Sequence, residues 1–278
     1  MIAPAWPRFE EDDRMRLWAL ALTITSVALV VPPSAVAETR LDPVAALRRQ
    51  LASGNAVTFS NVTVFKSWDG EPRTFRRSGV HELARGEVIA SEFLEPKDGK
   101  DPERFIIFPD RYYEQSSFWG KRLPEGKSWG VTKEKWPLAL TCGDMRLSHP
   151  ATLKALLAGT KAKRPAGVYD GTRTTLHEGI ITLGEVAKAD PDLRVLNSRP
   201  TGTYAQVRIN WKLWIGKDQL VRRCQSSSLL PGWPGKDDLE PMQFVDDVRL
   251  SRWGRATDIE PPAADQVATH DELIDAPE

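Results

Sequence analysis

The strongest constraint on the fold of this chain is a stretch of strict alternation between apolar and polar side chains. Between Tyr204 and Ile215, Ala205, Val207, Ile209, Trp211, Leu213 and Ile215 alternate with the polar residues Gln206, Arg208, Asn210 and Lys212. Successive side chains of a β-strand point to opposite faces, so this pattern predicts a strand with one buried face and one wet face. Sheets with one wet face are typically antiparallel, which is the sheet type we expect here.

Other strands and a few short helices are predicted around this strand. Apolar and β-branched runs between turn residues predict strands over 57–65, 74–83, 87–94, 104–108, 111–118, 172–182, 219–226 and 242–253. Helix signals lie between Asp42 and Gly54, over 150–158 and over 183–189. The pattern predicts an α+β protein with a large antiparallel sheet and two or three short helices.

The N-terminus has the pattern of a secretory signal peptide. An apolar run over 17–31 is followed by Ala35-Val36-Ala37, the small-residue pattern that signal peptidase cleaves. The run is shorter than the roughly 20 residues of a membrane-spanning helix, so we favour cleavage after residue 37 over a retained membrane anchor. Acidic residues precede Met15, which makes Met15 the better start and leaves the translation of residues 1–14 open. We therefore expect a secreted or extracytoplasmic protein of the cell envelope, and the alternative is anchoring by an uncleaved N-terminal segment.

Composition limits the class of protein. Removal of residues 1–37 would leave 241 of the 278 residues, enough for one large domain, predicted over 38–260. Residues 38–255 contain 35 Lys and Arg against 27 Asp and Glu, a balance that argues against nucleic-acid binding and is compatible with a membrane surface. Residues 261–278 are acidic and rich in Pro and Ala, which predicts a disordered tail.

The chain has two cysteines, Cys142 and Cys224. In an exported protein an even pair suggests a disulfide, which would close a loop of about 80 residues and stabilise the fold by roughly 4 kcal/mol. The alternative is a pair of buried free thiols. No cysteine lies near residue 37, so the chain has no residue there that could carry a lipid anchor.

Three segments carry a resemblance to a known family. They are LPEGKSWG at 123–130, GIITLGEVAKADPDLR at 179–194 and DVRLSRWGRATDIEPPAADQV at 247–267. Together they resemble actinobacterial LppX/LprG-type lipoproteins within the LolA-like superfamily of outer-membrane lipoprotein carriers. In that family the last strand carries a Trp-Gly pair, here Trp253-Gly254, followed by a Pro-rich tail, here 261–267.

The resemblance implies a strongly curved antiparallel half-barrel with helices covering its concave face. It also implies an apolar cavity that takes acyl chains. Because the lipid-modified cysteine of the family is absent, membrane tethering is not carried over to this chain. We expect a secreted member of the family.

No catalytic or metal-binding motif marks the sequence. The four histidines, His81, His149, His177 and His270, have no metal-ligand spacing. Neither a nucleophile elbow nor a phosphate-binding loop occurs. We therefore expect a protein without enzymatic activity, metal or cofactor. Of the three functional hypotheses for this chain, the weakest is a hydrolase whose pair of catalytic acidic residues is not marked by any sequence motif.

The leading hypothesis is a carrier or binder of lipid or another amphiphile in an apolar cavity. The alternation of two strands and the stripe of one helix predict the cavity lining: Val207, Ile209, Trp211, Leu213, Phe244, Val248, Leu153 and Leu157. The alternative is an envelope sensor or protein-interaction module with the same fold and a filled core. The partners that we expect are a lipid or amphiphile and, beyond it, a membrane surface or an envelope protein, but no nucleic acid.

Overall fold

The structure follows the predicted succession of strands and short helices. A computed structural model describes residues 42–52, 54–66, 70–117, 119, 122–135, 137–195, 197–231, 241–269 and 271–272. The predicted signal peptide, His270 and residues 273–278 lie outside these ranges.

Four α-helices occur in the described residues: α1 (Pro43–Ala52), α2 (Pro150–Ala158), α3 (Leu183–Ala189) and α4 (Gly202–Ala205). The start of α1 is as predicted, since the Asp42 carboxylate accepts a hydrogen bond from the Ala45 amide at 2.7 Å. At the start of α3, Thr182 and Glu185 form a reciprocal capping box. Among the described helices, none is both long and apolar enough to cross a membrane.

Fourteen strands occur in the described residues. They are β1 (Asn55–Lys66), β2 (Pro72–Ala84), β3 (Glu87–Lys97), β4 (Lys100–Phe108), β5 (Arg111–Gln115), β6 (Trp129–Thr132), β7 (Thr141–Cys142), β8 (Met145–Arg146), β9 (Thr160–Tyr169), β10 (Thr172–Thr182), β11 (Arg208–Gly216), β12 (Val221–Leu230), β13 (Met242–Arg255) and β14 (Val267–Ala268).

Twelve of these strands form one open sheet in the order β14-β6-β5-β4-β3-β2-β1-β13-β12-β11-β10-β9, and β7 and β8 pair separately. All neighbours in the large sheet are antiparallel except β14 and β6, which are parallel. The β1–β2, β3–β4 and β12–β13 connections leave the sheet at the same end, which we name the hairpin end. The predicted α+β class, a curved antiparallel half-barrel with short helices on one face, is confirmed.

The main core lies on one half of the inner face, defined here as the face that carries Phe59, Trp211 and Val248. Leucines from α1 and α2 and Val186 from α3 belong to the same core as Trp211, and Trp211 is almost fully buried. The disulfide between Cys142 and Cys224, with a Cα–Cα distance of 6.2 Å, joins the β7–β8 hairpin to β12 in the same core. The disulfide prediction is confirmed.

A second apolar cluster lies on the outer face. It contains Ala90, Ile106, Tyr113, Trp129, Val131 and Ile259. Ile259 follows the last long strand, and its amide donates a hydrogen bond to the Glu82 carboxylate at 3.1 Å. The C-terminal segment therefore covers apolar residues of the outer face.

The structure differs from the predicted disordered tail over part of its length. Residues Ala264–Gln266 form a 3₁₀ helix, and β14 adds to the edge of β6 by pairing Val267 with Trp129. Ala268 is completely buried. Two apolar residues and an open strand edge are sufficient to order this segment, although its composition is that of a disordered chain.

Candidate functional site

A cavity of about 390 Å³ lies on the other half of the inner face, above β1 to β5. The segment 137–141 covers it. Its lining consists of Phe59, Asn61, Arg77, His81, Ser91, Phe93, Phe105, Ile107, Tyr112, Glu114, Pro137, Leu138, Ala139, Leu140, Thr141, Val248 and Leu250. A concave, largely apolar site with a few polar groups is the usual form of a small-molecule binding site.

Stacked aromatic rings form the floor of the cavity. Strand register places Phe59, Gly79, Phe93 and Phe105 side by side on β1 to β4. The Phe93 and Phe105 rings stack with their centroids 4.9 Å apart, and the Phe59 ring meets Phe93 edge-on at 6.3 Å. Because Gly79 has no side chain, the rings on its two sides can meet above it.

The end of the cavity farthest from the hairpin end is closed. Ser91 and Leu140 are each only 2% exposed there. His81 stacks on Phe59 at 4.2 Å between centroids, and its Nδ1 lies 2.6 Å from Ser91 Oγ. This end of the cavity therefore combines apolar walls with one short polar pair.

The His81–Ser91 pair is better suited to hydrogen bonding than to catalysis. Burial away from water lowers the pKa of His81 to about 3. A general base works best when its pKa is close to the working pH, so such an imidazole is neutral but a poor base at neutral pH. The pair can therefore offer a hydrogen bond to a ligand without activating the serine.

The opposite end of the cavity is polar and open. The Arg77 side chain is 48% exposed there, and its Nε donates to Glu95 at 2.8 Å. Lys97 Nζ contacts the same Glu95 carboxylate at 2.7 Å and Glu103 at 3.1 Å. This arrangement gives the mouth an ionic network of both signs.

The pKa values of the two glutamates in this network reflect their cationic and hydroxyl partners. Burial alone would raise the pKa of Glu95, but hydrogen bonds from Lys97 and Arg77 outweigh it and hold the pKa below its ordinary value. Hydrogen bonds from Ser117 and Lys97 outweigh burial in the same way at Glu103 and lower its pKa. Both carboxylates are therefore ionised at neutral pH.

Two acidic residues, the half-buried Asp144 and the buried Asp246, lie beside the covering segment. Asp246 accepts a hydrogen bond from Thr63 Oγ1 at 2.6 Å. A β-carbon on Gly143 would lie 2.7 Å from Ser226 Oγ and 3.3 Å from Asp246 Oδ2, so the loop between β7 and β8 packs closely against β12 and β13. Burial, and then the charge of Asp246, raise the pKa of Asp144 to about 6.

We expect Asp144→Asn to remove a pH dependence of stability. Because the folded protein holds the Asp144 proton to a higher pH than the unfolded chain, the contribution of Asp144 to the free energy of unfolding should fall as pH rises from about 4 to about 6. The asparagine variant should lack this fall and exceed the wild type by up to about 3 kcal/mol at pH 7. Urea unfolding of both proteins from pH 4 to pH 8 measures the difference. A constant difference across this range would contradict the assignment.

The predicted lining residues lie mostly in the main core. Val248 lines the cavity. Five others are buried in the core under β10 to β13: Val207, Ile209, Trp211, Leu213 and Leu153. Phe244 and Leu157 are partly buried and pack against that core. Whether these seven residues contact a ligand stays a prediction, and the candidate site rests on the lining of the cavity itself.

Sequence reasoning missed the lining from β1 to β5, although it predicted these strands. A signal was present in the face that carries Phe59, Phe93 and Phe105. The same face carries Asn61, Arg77, His81, Ser91 and Glu114. A face that mixes aromatic and charged residues is unsuited to a dry core and is typical of a ligand site.

The histidines lie apart from one another. His81 lines the cavity, His149 precedes α2, and His177 lies on β10. Within the part of the chain that the structure describes, no group of three or more His, Cys, Asp or Glu side chains could hold a metal ion.

Comparisons with known proteins give similar folds at low identity. No protein-family model matches the sequence, and no curated protein matches it. The solved structure of LprF from Mycobacterium bovis aligns at 13% identity over 80% of this chain and 96% of its own, with a TM-score of 0.43. The lipoprotein LppX from Mycobacterium tuberculosis aligns at 14% identity over 78% of this chain and 98% of its own, with a TM-score of 0.38.

A LolA superfamily protein from Nitrosomonas europaea aligns at 9% identity over 78% of this chain and 93% of its own, with a TM-score of 0.26. LppX and LolA are also the names of the family that the sequence resembles.

Proposed function

We propose that this protein is an extracytoplasmic, non-enzymatic binder or carrier of a single-chain amphiphile. The observation that carries the proposal is the cavity of about 390 Å³, which has an aromatic floor, one closed end and one ionic mouth. An apolar chain would lie on the rings of Phe59, Phe93 and Phe105. The polar group of the ligand would lie at the mouth, near Arg77.

The size of the cavity supports one chain as the ligand. Its volume is near the lower limit of about 300 Å³ for small-molecule sites. Burial of about ten CH₂ groups contributes roughly 0.8 kcal/mol each, less the cost of ordering the chain. The ionic network at the mouth contains both Arg77 and Glu95, so it can accept a charged or a zwitterionic head group.

Two further features support an extracytoplasmic location. The first is the Ala35-Val36-Ala37 pattern after the N-terminal apolar run. The second is the disulfide between Cys142 and Cys224, a bond that persists mainly in oxidising compartments. Both are consistent with a carrier that works in the cell envelope.

The alternative function, a sensor or interaction module, requires a filled core. The part of the inner face under α2 and α3 is filled, but the part of β1 to β5 under the segment 137–141 has an open cavity. This difference favours the binder.

Mass spectrometry of an organic extract tests the proposal directly. The protein would be purified without detergent from an export-competent host, with a boiled-protein extract as the blank. We expect a stoichiometric acylated molecule. An empty protein that also fails to bind a fluorescent fatty acid would contradict the proposal.

A cavity-filling variant gives a second test. Ala139 lies in the covering segment and lines the cavity, so Ala139→Trp should fill the cavity from the loop without changing the sheet. We expect its affinity for a fluorescent fatty acid to fall at least about tenfold, because the displaced chain loses its apolar contacts. Equilibrium titration measures the affinity, and thermal unfolding checks the fold.

The matched control is Ala162→Trp on the exposed edge strand β9. It adds the same side chain outside the cavity and should bind the probe as the wild type does. Equal affinities of Ala139→Trp and wild type would place the ligand elsewhere.

A further inference from the structure

We propose that the closed end of the cavity selects a ligand whose chain carries a neutral oxygen, a hydroxyl or a carbonyl, at the end away from its head group. His81 and Ser91 would bind this oxygen through a hydrogen bond. The inference deepens the proposed function and rests on it for a chain in the cavity and a head group near Arg77. Chain binding and the preference for an oxygen are measured separately, so the preference can fail while the proposed function stands.

One hydrogen-bond donor of the His81–Ser91 pair has no protein partner. Because burial lowers the pKa of His81 to about 3, its imidazole is neutral and has one N–H, while Ser91 has one O–H. The hydrogen bond between Nδ1 and Oγ uses one of these two donors, whichever direction it takes. Within the part of the chain that the structure describes, neither side chain makes another hydrogen bond. The remaining donor is therefore left for a ligand or for water.

The side chains beside the pair in the sheet are apolar. Register places Val57 next to His81 and Ile107 next to Ser91 in the same row. Val57 is completely buried, Ile107 is 5% exposed, and the Phe59 ring stacks on the imidazole. A buried donor that is left without a partner costs about 1–3 kcal/mol. A ligand oxygen at this place is therefore favoured over a methylene group.

The closed end favours a neutral oxygen over a carboxylate. The burial that lowers the pKa of His81 disfavours charge at this end. Among the described residues that line the cavity, only Arg77 carries a positive charge, and it lies at the mouth. A carboxylate beside His81 would be buried without a cationic partner, which costs far more than burial of a hydroxyl. A charged head group should therefore lie near Arg77 and the neutral oxygen near the pair.

The distance along β2 between the two ends sets the distance from head group to oxygen. Arg77 and His81 are four residues apart on this strand, which corresponds to about 13 Å. Gly79 lies midway between them, in one row with Phe59 and Phe93. A chain that lies along β2 would therefore cross the aromatic floor and place its far end beside the pair. The expected ligand class is a fatty acid or related amphiphile that is oxygenated at its far end.

Competition binding with two isomers tests the proposal. A fluorescent fatty acid would be displaced from the wild type by α-hydroxydodecanoic acid, whose hydroxyl lies beside the carboxylate, and by ω-hydroxydodecanoic acid, whose hydroxyl lies at the far end. We expect the ω isomer to bind at least as tightly as plain dodecanoic acid, because its hydroxyl accepts the free hydrogen bond. A purely apolar end would instead weaken binding of the ω isomer by at least about tenfold.

The double variant His81→Phe/Ser91→Ala makes the closed end apolar. Phenylalanine keeps a ring against Phe59, so the shape of the end changes little. The affinity ratio of the ω isomer to the α isomer should fall by at least about tenfold in this variant, because the buried ω hydroxyl loses its partner. Plain dodecanoic acid should still bind. Thermal unfolding checks the fold, and the comparison of ligands on the wild type does not depend on the variant.

The matched control is His149→Phe/Thr152→Ala. His149 Nδ1 lies 3.3 Å from Thr152 Oγ1, so this is a second pair of a histidine and a hydroxyl, and neither residue lines the cavity. The same kinds of change at this place should leave the ratio of the two isomers as in the wild type. An equal fall of the ratio in both variants would show a general effect of the substitutions and overturn the proposal.

The remaining outcomes separate the preference from chain binding. A wild type that binds dodecanoic acid but binds the ω isomer at least about tenfold more weakly overturns the preference and leaves the proposed function intact. An unchanged ratio in His81→Phe/Ser91→Ala does the same, since the pair then makes no contact with the oxygen. A wild type that binds none of these acids contradicts the proposed function and the preference together.

Discussion

Replacement of Gly79 by alanine is expected to lower the free energy of unfolding by about 3 kcal/mol or more. A β-carbon at this position would lie 2.0 Å from the carbonyl oxygen of Glu92 and 2.6 Å from the Cα and Cβ atoms of Phe93. These atoms belong to the backbone and first side-chain carbon of the neighbouring strand, so they cannot rotate away. Strands β2 and β3 would have to separate at the floor of the cavity. Urea unfolding followed by tryptophan fluorescence measures the loss.

The control is another glycine in the interior of a strand. A β-carbon on Gly167 in β9 would meet only Tyr169 Cε2, at 3.8 Å. Gly167→Ala should therefore leave stability unchanged or raise it by about 0.5 kcal/mol, because alanine restricts the unfolded chain. If the two variants lose the same stability, the loss at Gly79 comes from a general effect of strand glycines and not from the close approach to Phe93.

The alternating pattern that predicted β11 correctly identified the buried face of this strand, but it placed the first residue of the strand too early. Ile209, Trp211 and Leu213 are buried as expected, whereas the strand begins at Arg208 because Gly202–Ala205 form a helical turn. Tyr204 at this turn donates a hydrogen bond to the Pro231 carbonyl at 2.9 Å. Over so few residues, the spacing of Ala205 and Val207 fits a strand and a short helix equally well.

Strand β9 was not predicted because its composition is that of a loop. It carries Lys161, Lys163, Arg164 and Pro165, and none of its residues is buried. These residue types are common on edge strands, where they prevent pairing with other chains. A search for a partner of the predicted strand 172–182 across the Asp170-Gly171 turn could have found it.

The position of the cavity could not be predicted from alternation. Alternation gives the face of a strand that is apolar, but not which half of that face is filled by other elements. Here α2, α3 and the disulfide loop cover β10 to β13, so that Trp211 belongs to the core, whereas α1 packs on β1 to β3. The segment 137–141 covers the part of β1 to β5 that lines the cavity. These contacts join parts of the chain that are far apart in sequence, and single-strand patterns contain no information about them.

Removal of the disulfide is expected to lower the free energy of unfolding by about 4 kcal/mol in Cys142→Ala/Cys224→Ala. The two cysteines are 82 residues apart, so the bond restricts a large loop of the unfolded chain. Alanine is chosen because both positions are completely buried and a serine hydroxyl would add a desolvation cost. Unfolding of the wild type with and without reductant provides the control, since the reduced wild type should approach the variant and the variant should not respond to reductant. Equal stability of oxidised and reduced wild type would contradict the prediction.

The same substitution should also weaken ligand binding, because the disulfide fixes the cover of the cavity. Thr141 is the last residue of the covering segment, and Cys142 directly after it is joined to β12. Without that bond, the segment 137–141 is held by contacts such as the Leu147 amide donating to the Leu140 carbonyl at 2.7 Å. A loosened cover must be ordered again on binding, and this entropy cost reduces affinity. We expect a several-fold weaker affinity for a fluorescent fatty acid at a temperature where the variant is folded, and an unchanged affinity would place the ligand away from this cover.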